Sequence, residues 1–365
     1  MCLFSKRVKA VGNCRFFRRI NKNGGYMAEE FNPKLQKLKQ MQSLPLEQKI
    51  IVSKQRIKQW LEAWEDQCVV SFSGGVDSTV LLDLVRSVNP DIKAVFVNTG
   101  LEYPQIVKFV KTISNVDIIR PKMTYKQVIE KYGYPFPSKG IATKISEIKH
   151  TKSDSLKKLR LTGIRPNGEY SPLSKLSKKW EYLIEAPFEV SSRCCDIMKK
   201  QPLHKYQNEN GVKPFVGVMA EESSNRVISY VKHSCNAFNA THPQSRPLMF
   251  WSKQDVIRYI QMNDLPYCSS VYGDIVESDN GELGFSKTDR TGCVFCMFGV
   301  NFDQEPNRFQ IMQKENPKMY RYCMEELKIK QVLEYCGIPY EWRDVPQQDR
   351  IEFEFEENQS CNTKM

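Results

Sequence analysis

The pattern of apolar positions predicts strands alternating with helices over the first part of the chain. Apolar residues spaced three and four apart over 46–66 predict an amphipathic helix. The apolar run at 68–72 predicts a buried strand, 94–98 is apolar and extended, and 116–119 predicts a further strand; each is followed by a helical run. This alternation is typical of a parallel sheet covered on both faces. We therefore predict an α/β fold with a doubly wound, mostly parallel sheet.

The alternation is interrupted once before it ends. Residues 138–185 are rich in Lys, Ser and Gly and predict an insertion or arm, after which a strand at 214–219 and a helix at 253–262 resume the pattern. Beyond Leu265 the sequence is rich in Gly, Asp and Cys, and its pattern predicts helices from about 306 to 336. The predicted organisation is an N-terminal basic extension and helix (1–66), a sheet domain carrying the insertion (67–263), and a small helical, cysteine-containing C-terminal lobe with its tail (264–365).

Composition narrows the class of protein. With 365 residues, 41% of them hydrophobic and 26% charged, the chain supplies the core of one large domain or two lobes, which excludes wholesale disorder. No apolar run reaches the roughly 18 to 20 residues that cross a bilayer, so we expect a cytoplasmic protein without a membrane partner. The net charge of +12 is concentrated in residues 1–26 and 138–182, two patches that suit a polyanionic partner.

The basic N-terminus has a second interpretation. Gly24 and Gly25 shortly precede Met27, and a Gly-Gly pair can be encoded by a purine tract of the kind that binds ribosomes. The alternative that translation begins at Met27 therefore stays open. Residues 1–26 would then be untranslated, and only the patch at 138–182 would remain.

A phosphate-binding loop is predicted at Ser73-Gly74-Gly75-Val76-Asp77-Ser78, between a buried strand and a helix. Its two glycines let the backbone turn and present N–H groups, and the helix adds the positive end of its dipole. Its two serines can donate hydrogen bonds to a phosphate, while Asp77 can orient the loop or hold Mg²⁺. The alternative is an ordinary strand-to-helix turn in which Ser78 caps the helix.

The cysteines predict a metal centre. Of twelve in the chain, Cys194-Cys195 are adjacent and Cys293-Val294-Phe295-Cys296 form a CxxC turn between glycines. Adjacent thiols do not form a relaxed disulfide, and a CxxC turn directs two sulfurs inward, so four thiolates can converge. Zinc and an iron–sulfur cluster both accept four thiolates, and the spacing does not separate them. Cysteines that merely pack are the alternative.

The insertion predicts a nucleic-acid partner. Over Lys144–Trp180 it interleaves many cations with few apolar residues and ends on Trp180, which suits phosphate contacts with one aromatic surface for base stacking. A solvated loop is the alternative.

Several motifs resemble one known family. SGGxDS after the first strand resembles the pyrophosphate loop of the N-type ATP pyrophosphatases (the PP-loop superfamily), and residues 67–300 resemble its phosphoadenosine phosphosulfate reductase family. Val97-Asn98-Thr99-Gly100 is similar to the family's Asp-Thr-Gly segment, with Asn98 where an acid is more usual. Gly217-Val218-Met219 with Arg226 is similar to its Gly-x-Arg…Arg strand end, with Met219 at the first basic position.

The resemblance implies a fold like that of the adenine nucleotide alpha-hydrolases and a set of site residues. An adenine nucleotide, ATP or adenylyl sulfate, is expected on the SGGVDS loop and on Asn98, Thr99 and Gly100. The cysteine pattern resembles the cluster-bearing adenylyl-sulfate reductase branch, which implies a 4Fe–4S cluster on the four cysteines. Lys199 would lie near this cluster and the substrate phosphates. The expected catalytic residues are Asp77, Lys199 and Arg226.

Three functions are compatible with these motifs. The favoured one is an enzyme that adenylylates a substrate, with Mg²⁺ and ATP, and then replaces the activated oxygen by sulfur from a donor protein; a nucleic acid is the favoured acceptor. The second is reduction of adenylyl sulfate or its 3′-phosphorylated form to sulfite, with a reductant protein. This reaction needs a thiol nucleophile, for which Cys361 is the candidate in the tail, without the family's Glu-Cys-Gly-x-His context. The third is a nucleotide-binding iron–sulfur redox sensor.

Overall fold

The computed structural model describes residues 32–343. These residues form two compact units, each built from two stretches of the chain. The first unit comprises residues 32–132 and Arg193–Cys296, and the second comprises Gly133–Ser192 and residues 297–343. The alternative start at Met27 and the tail cysteine Cys361 lie outside the described residues.

The first unit contains the strands and most of the helices. Its strands are β1 (Cys68–Ser71), β2 (Lys93–Val97), β3 (Val116–Ile119), β4 (Lys213–Val216), β5 (Asn236–Ala237), β6 (Gln244–Ser245), β7 (Ile275–Glu277) and β8 (Leu283–Phe285). Its helices, numbered along the whole chain, are α1 (Pro33–Gln42), α2 (Leu46–Ala63), α3 (Val76–Arg86), α4 (Pro104–Thr112), α5 (Tyr125–Tyr132), α8 (Gln201–Asn210), α9 (Ser224–His233), α10 (Lys253–Met262) and α11 (Ser269–Tyr272). The second unit contains α6 (Lys139–His150), α7 (Asp154–Thr162), α12 (Arg308–Glu315), α13 (Pro317–Arg321) and α14 (Ile329–Tyr335).

One six-stranded sheet organises the first unit. Its order is β3-β2-β1-β4-β6-β5, and every neighbouring pair is parallel except β5 and β6. The chain therefore builds outward from β1 to β3 and then returns to place β4 on the other side of β1. The loops that leave the strands at such a reversal form a crevice. The predicted α/β fold with a mostly parallel sheet is confirmed.

The elements of this unit follow from local sequence. β1 and β2 are continuous apolar runs, and they are buried along almost their whole length because helices cover the sheet. The helix predicted over 253–262 is confirmed as α10. Its N-cap is Ser252, whose hydroxyl accepts from the Asp255 N–H at 3.2 Å while the Asp255 carboxylate accepts from the Ser252 N–H at 2.7 Å. Lys49 of α2 forms a buried ion pair with Asp255 at 2.7 Å, which ties α2 to α10.

The second unit contains the Lys-rich segment, which includes two helices that the apolar pattern did not predict. α6 buries Ala142, Ile145 and Ile148, whereas α7 buries no residue. α7 is instead defined by its ends, because Ser153 caps its first turn and Gly163 ends it at φ 80°. The helical region predicted near the C-terminus is confirmed as α12 to α14. No helix among the described residues is long and apolar enough to span a membrane.

Candidate nucleotide and cysteine site

A cleft opens at the carboxyl ends of β1, β2 and β4. These three strands are neighbours in the sheet, so the loops that follow them meet at one edge. The cleft has a volume of about 220 Å³. Its polar lining includes residues from four separate parts of the first unit: Ser73 and Ser78 after β1, Glu102 after β2, Lys199 after Cys194-Cys195, and Thr291 before the CxxC turn.

Hydrogen bonds within the predicted phosphate loop hold its shape. The Ser78 hydroxyl donates to the Gly75 carbonyl at 2.8 Å and accepts from the Ser73 N–H at 3.1 Å. The Gly75 N–H donates to the Ser73 hydroxyl at 3.3 Å, and Thr79 Oγ1 donates to the Gly75 carbonyl at 3.0 Å. The loop is thus closed by its own side chains. Ser78 acts mainly inside the loop, because it is only 5% exposed and lies in the first turn of α3.

Two glycines are needed in this loop for different reasons. Gly74 has φ +74°, and a Cβ there would lie 2.8 Å from methyl groups of Ile106 and Val110 on α4. Gly75 has an ordinary φ, but a Cβ there would meet the Tyr272 hydroxyl at 3.1 Å and Thr291 Oγ1 at 3.2 Å. The first glycine permits the turn, and the second keeps the outer face of the loop clear.

Asp77 lies half-buried beside a group of charged side chains after β4. Burial, and then the nearby Glu222 carboxylate, raise the pKa of Asp77 to about 6, although Arg290 and Arg226 oppose this shift. Arg226 forms an ion pair with Glu222, whose carboxylate also accepts from the Met219 N–H at 3.0 Å. The carboxylates of Asp77 and Glu222 and the guanidinium groups of Arg226 and Arg290 thus influence one another at the first turn of α3.

The Asn98-Thr99-Gly100 segment turns away from β2 and is held by Glu102. The Glu102 carboxylate accepts from the Thr99 N–H at 2.9 Å and from its hydroxyl at 2.8 Å, while Asn98 Oδ1 accepts from the Gly100 N–H at 3.1 Å. Glu102, and not the three predicted residues, lines the cleft. The polar atoms of Asn98 and Thr99 thus serve the turn.

All four predicted metal-binding cysteines lie in the first unit and interact with one another; we term them the cysteine quartet (Cys194, Cys195, Cys293 and Cys296). The pKa of Cys194 is raised, first by a hydrogen bond with Cys195, then by burial, and also by the charges of Cys293 and Cys296. Burial raises the pKa of Cys293 to about 11, although Lys199 lowers it. Cys194 and Cys293 are therefore thiols that lose their protons with difficulty unless a cation is present.

Lys199 connects the quartet to the cleft. It lies in a π-helical turn, Asp196–Lys200, that follows Cys195 directly. Its ammonium is 3.7 Å from Glu102 Oε1 and hydrogen-bonds Cys293. Burial lowers the pKa of Lys199, but Cys293 and Glu102 outweigh burial and the net pKa is raised, so Lys199 is a cation.

The CxxC turn is anchored by backbone contacts. The Cys296 N–H donates to the Cys293 carbonyl at 3.0 Å, which closes the turn. The Val294 N–H donates to the Leu101 carbonyl at 2.8 Å, and the Tyr125 hydroxyl donates to the Phe295 carbonyl at 3.3 Å. The turn is therefore fixed both to the loop after β2 and to α5.

The quartet supplies four thiol groups beside Lys199 as possible metal ligands. Within residues 32–343, no three His, Cys, Asp or Glu side chains are grouped so that they could hold a metal ion. Four thiolates around one zinc ion must crowd together, with each sulfur about 2.3 Å from the metal. A cluster with an iron at each of four corners binds one thiolate per iron and accepts a wider set. The donor set, four cysteines beside a lysine, fits such a cluster.

Most of the predicted site residues thus lie around one end of the sheet. The serines of the loop Ser73–Ser78 and Lys199 line the cleft, Lys199 contacts Cys293 of the quartet, and Arg226 lies near Asp77 and pairs with Glu222. The sequence analysis missed Glu102, Glu222, Tyr272 and Thr291. Only Thr291 had a local signal, because it immediately precedes the Gly-Cys of the CxxC turn.

Comparison with known proteins gives a consistent family. A protein of Methanocaldococcus jannaschii that is described as uncharacterised is 28% identical over 277 residues, which are 72% of this chain and 42% of that protein. The chain thus spans less than half of that relative. An adenosine 5′-phosphosulfate reductase of Staphylococcus epidermidis is 24% identical over 247 residues, 68% of this chain and 76% of that protein.

Among solved structures, a phosphoadenylyl-sulfate reductase from Candida auris is 15% identical, with a TM-score of 0.36 over 73% of this chain and all of that chain. A score this low leaves the assignment to the sequence. The model of the phosphoadenosine phosphosulfate reductase domain matches residues 67–167 and 157–296, which is more than half of the chain. The chain therefore belongs to the phosphoadenosine phosphosulfate reductase family.

Proposed function

We propose that the protein is an enzyme that activates a substrate with ATP and then transfers sulfur to it. The observation that carries this proposal is the half-buried carboxylate of Asp77 within the phosphate loop, whose pKa the nearby Glu222 carboxylate helps to raise. A second carboxylate so close makes ionised Asp77 unfavourable, and a divalent cation would relieve that cost. Mg²⁺ is typically held by one or two carboxylates together with the phosphates of a nucleotide, so this arrangement suits Mg²⁺ and ATP.

The proposed reaction has two steps. An oxygen of the acceptor attacks the α-phosphorus of ATP, the bond to the β-phosphate oxygen breaks, and pyrophosphate leaves on the loop Ser73–Ser78. Hydrosulfide sulfur, supplied by a donor protein, then forms a bond to the acceptor carbon while the adenylylated oxygen leaves as AMP. With sulfur at the oxidation level of sulfide, neither an oxidant nor a reductant is consumed. The loop, Arg226 and Lys199 serve by binding and orienting the phosphates.

The same proposal assigns a 4Fe–4S cluster to the cysteine quartet. The support is the donor set, in which four mutually interacting thiols lie beside the cationic Lys199. When bound, such a cluster supplies one-electron redox chemistry. Lys199 offsets the negative charge of the thiolates and of the nucleotide at the same time, because it contacts Cys293 and also lines the cleft.

Reduction of adenylyl sulfate is the second candidate, favoured by the name of the curated relative from Staphylococcus epidermidis. In that reaction a thiolate would attack the sulfate sulfur, the sulfur–oxygen bond would break, and AMP would leave; a second thiol would then release sulfite and form a disulfide. The nucleophile would be Cys361 or an external thiol. Among the described cysteines outside the quartet, four are buried and one is half-buried: Cys68, Cys235, Cys268, Cys323 and Cys336.

Anaerobic purification followed by a nucleotide screen tests both candidates. Iron and sulfide are measured first, and then pyrophosphate release from ATP and sulfite release from adenylyl sulfate. Pyrophosphate that requires Mg²⁺ and an acceptor supports the proposed reaction. Sulfite supports the second candidate and overturns the first. Nucleotide binding with neither product would leave the iron–sulfur redox sensor.

The Lys-rich segment (residues 138–185) supports a nucleic-acid acceptor. Fewer of its cations are available for phosphate contacts than its composition suggests. Four of its cations are engaged internally: Lys144 donates to two backbone carbonyls, and Lys149, Arg160 and Arg165 pair with glutamates. Within Lys144–Trp180, four exposed lysines carry no ion pair, side-chain hydrogen bond or cation–π contact to the described residues: Lys152, Lys157, Lys158 and Lys178. In the same segment, Tyr170 is 60% exposed and offers a ring for stacking.

Replacing these four exposed lysines by glutamine tests this role. The variant should lose affinity for RNA or DNA, and each lost phosphate contact should lower the salt slope of binding by about 0.7 to 0.9. Its affinity for ATP should stay unchanged, because the proposed nucleotide site is in the first unit. A matched variant with Lys93, Lys108, Lys111 and Lys232 changed to glutamine removes the same charge elsewhere. Equal losses in both variants would indicate only a general charge effect.

A further inference from the structure

Three hydroxyl groups converge on the outer face of Gly75. A Cβ at Gly75 would lie 3.1 Å from Tyr272 Oη, 3.2 Å from Thr291 Oγ1 and 3.4 Å from Ser73 Oγ. Tyr272 and Thr291 come from the segment that leads to the CxxC turn, far along the chain from the phosphate loop. Their hydroxyls hydrogen-bond each other at 2.9 Å. A second segment thus adds polar groups to the mouth of the loop.

The hydrogen bonds limit how these hydroxyls share their protons, although either oxygen of the Tyr272–Thr291 pair can be the donor. Tyr272 is 2% exposed, and its oxygen accepts from the Val76 N–H at 3.2 Å. A phenol has one proton, and the acceptor within reach is Thr291 Oγ1 at 2.9 Å. If Tyr272 donates to Thr291, the proton of Thr291 is directed elsewhere. Thr291 lines the cleft with Ser73 and Ser78, so that proton can reach an oxygen bound there.

We propose that Thr291 is a phosphate ligand of the nucleotide site and that Tyr272 is the residue that positions it. This inference rests on the proposed function only in that a nucleotide phosphate occupies the loop Ser73–Ser78. Tyr272 fixes the threonine oxygen as an acceptor and thereby aims its proton into the cleft. It also holds the Val76 N–H, so the first amide of α3 is satisfied by a side chain and the phosphate is recognised by hydroxyls beside it.

The position of Thr291 connects the phosphate to the quartet. Only Gly292 separates Thr291 from Cys293, and Cys293 in turn contacts Lys199. A phosphate held by Thr291 therefore restrains the segment that begins the CxxC turn. Any change at Cys293 that moves this segment is expected to alter phosphate affinity, and by linkage the phosphate alters the state of the quartet to the same extent.

Binding of ATP and of adenosine to the full chain, purified without oxygen, tests the proposal by calorimetry. Thr291→Val keeps the shape of the side chain and removes the hydroxyl, and it should weaken ATP binding roughly ten- to a hundredfold, the value of one hydrogen bond to a charged group. Adenosine has no phosphate, so its affinity should stay the same. Thr291→Ser restores the hydroxyl and should bind ATP within about threefold of the wild type. Tyr272→Phe should weaken ATP binding less than Thr291→Val, because it only frees the threonine to rotate.

The outcomes separate this inference from the proposed function. If the wild type binds ATP and Thr291→Val binds it equally well, Thr291 is not a phosphate ligand. If Thr291→Val weakens ATP and adenosine equally, or if Thr291→Ser fails to restore binding, the threonine has only a structural role and the inference is wrong. If the wild type binds neither ATP nor adenylyl sulfate, both the inference and the nucleotide site itself are overturned.

Discussion

The phosphate loop and the cysteine quartet share one edge of the sheet and differ in how complete they are by themselves. The loop Ser73–Ser78 is six consecutive residues whose hydroxyl and backbone groups bond to one another. The quartet is assembled from two distant segments, and burial or neighbouring thiols raise the pKa values of Cys194 and Cys293. The loop is already shaped for an anion, whereas the quartet needs a cation before its thiols become ligands.

This difference teaches where each site is vulnerable. A site shaped by its backbone fails when a side chain enters the space that it keeps open. A metal centre held by four cysteine thiolates fails when one cysteine is removed, since the remaining three thiolates cannot coordinate the same centre. We therefore expect the loop to be sensitive to added side-chain volume and the quartet to be sensitive to loss of a single cysteine.

Loss of one quartet cysteine should have the largest effect. Cys194→Ser leaves three thiolates, and the protein purified without oxygen should lose most of its iron, sulfide and brown colour, because each iron of the cluster requires its own cysteine. Iron and sulfide analysis measures this loss. Cys336→Ser, which changes a half-buried thiol outside the quartet, should keep the iron content of the wild type. Stoichiometric zinc in a colourless, folded wild type would refute the cluster.

Gly75→Val should abolish ATP binding while the fold is retained. The new side chain would occupy the space between the loop and the hydroxyls of Tyr272 and Thr291, which a Cβ alone already approaches to 3.1 and 3.2 Å. Calorimetric titration with ATP measures the loss, and circular dichroism checks the fold. Gly140→Ala is the control, since no atom lies within 4 Å of a Cβ there. Undiminished ATP binding in Gly75→Val would show that the loop is an ordinary turn.

Asp77 should make stability depend on pH in a defined window. Its pKa of about 6 in the folded protein exceeds the ordinary value of 3.8, so the folded chain binds this proton more tightly than the unfolded chain. Ionisation therefore lowers stability as the pH rises from about 4 to about 6 and has no further effect above that range. Asp77→Asn should be more stable than the wild type by on the order of 1 to 3 kcal/mol at pH 7, with almost no difference near pH 4.

Urea denaturation at intervals across this range measures the effect. Mg²⁺ with ATP should reduce the difference between the two proteins at pH 7, because the cation offsets the two carboxylates only when Asp77 is present. If the stabilities of the wild type and Asp77→Asn differ by the same amount at every pH from 4 to 7, Asp77 has an ordinary pKa. That result would remove the main support for a magnesium site.

The sequence predicted β1 and β2 well because both strands are continuous apolar runs that are buried along almost their whole length. β3 was also predicted, although it is an edge strand that is only partly buried. α7 was not predicted, because it buries no residue and so has no apolar face to detect. α6 does bury Ala142, Ile145 and Ile148, but its Lys-rich sequence was interpreted as part of an arm. Periodicity reports burial, and a helix that is stabilised by its caps leaves little periodicity in the sequence.

The site was predicted in its consecutive parts and missed in its tertiary ones. The loop Ser73–Ser78 and the CxxC turn are short motifs whose chemistry is local. Glu102 and Glu222 act by accepting hydrogen bonds or pairing with cations that come from other segments, and Tyr272 reaches the phosphate loop from far along the chain. Such roles depend on the distance between elements after folding, which residue spacing does not encode.

The contacts of the CxxC turn bear on how a cluster would be inserted and repaired. The bonds from Val294 to Leu101 and from Tyr125 to Phe295 involve no thiol, so they do not depend on what the cysteines hold. A small zinc domain must fold around its metal, whereas this turn belongs to a framework with its own core. Oxidative loss of a cluster would then leave a folded recipient. Reconstitution with iron and sulfide should accordingly proceed without a refolding step. A protein that delivers the cluster would bind a surface that is already folded.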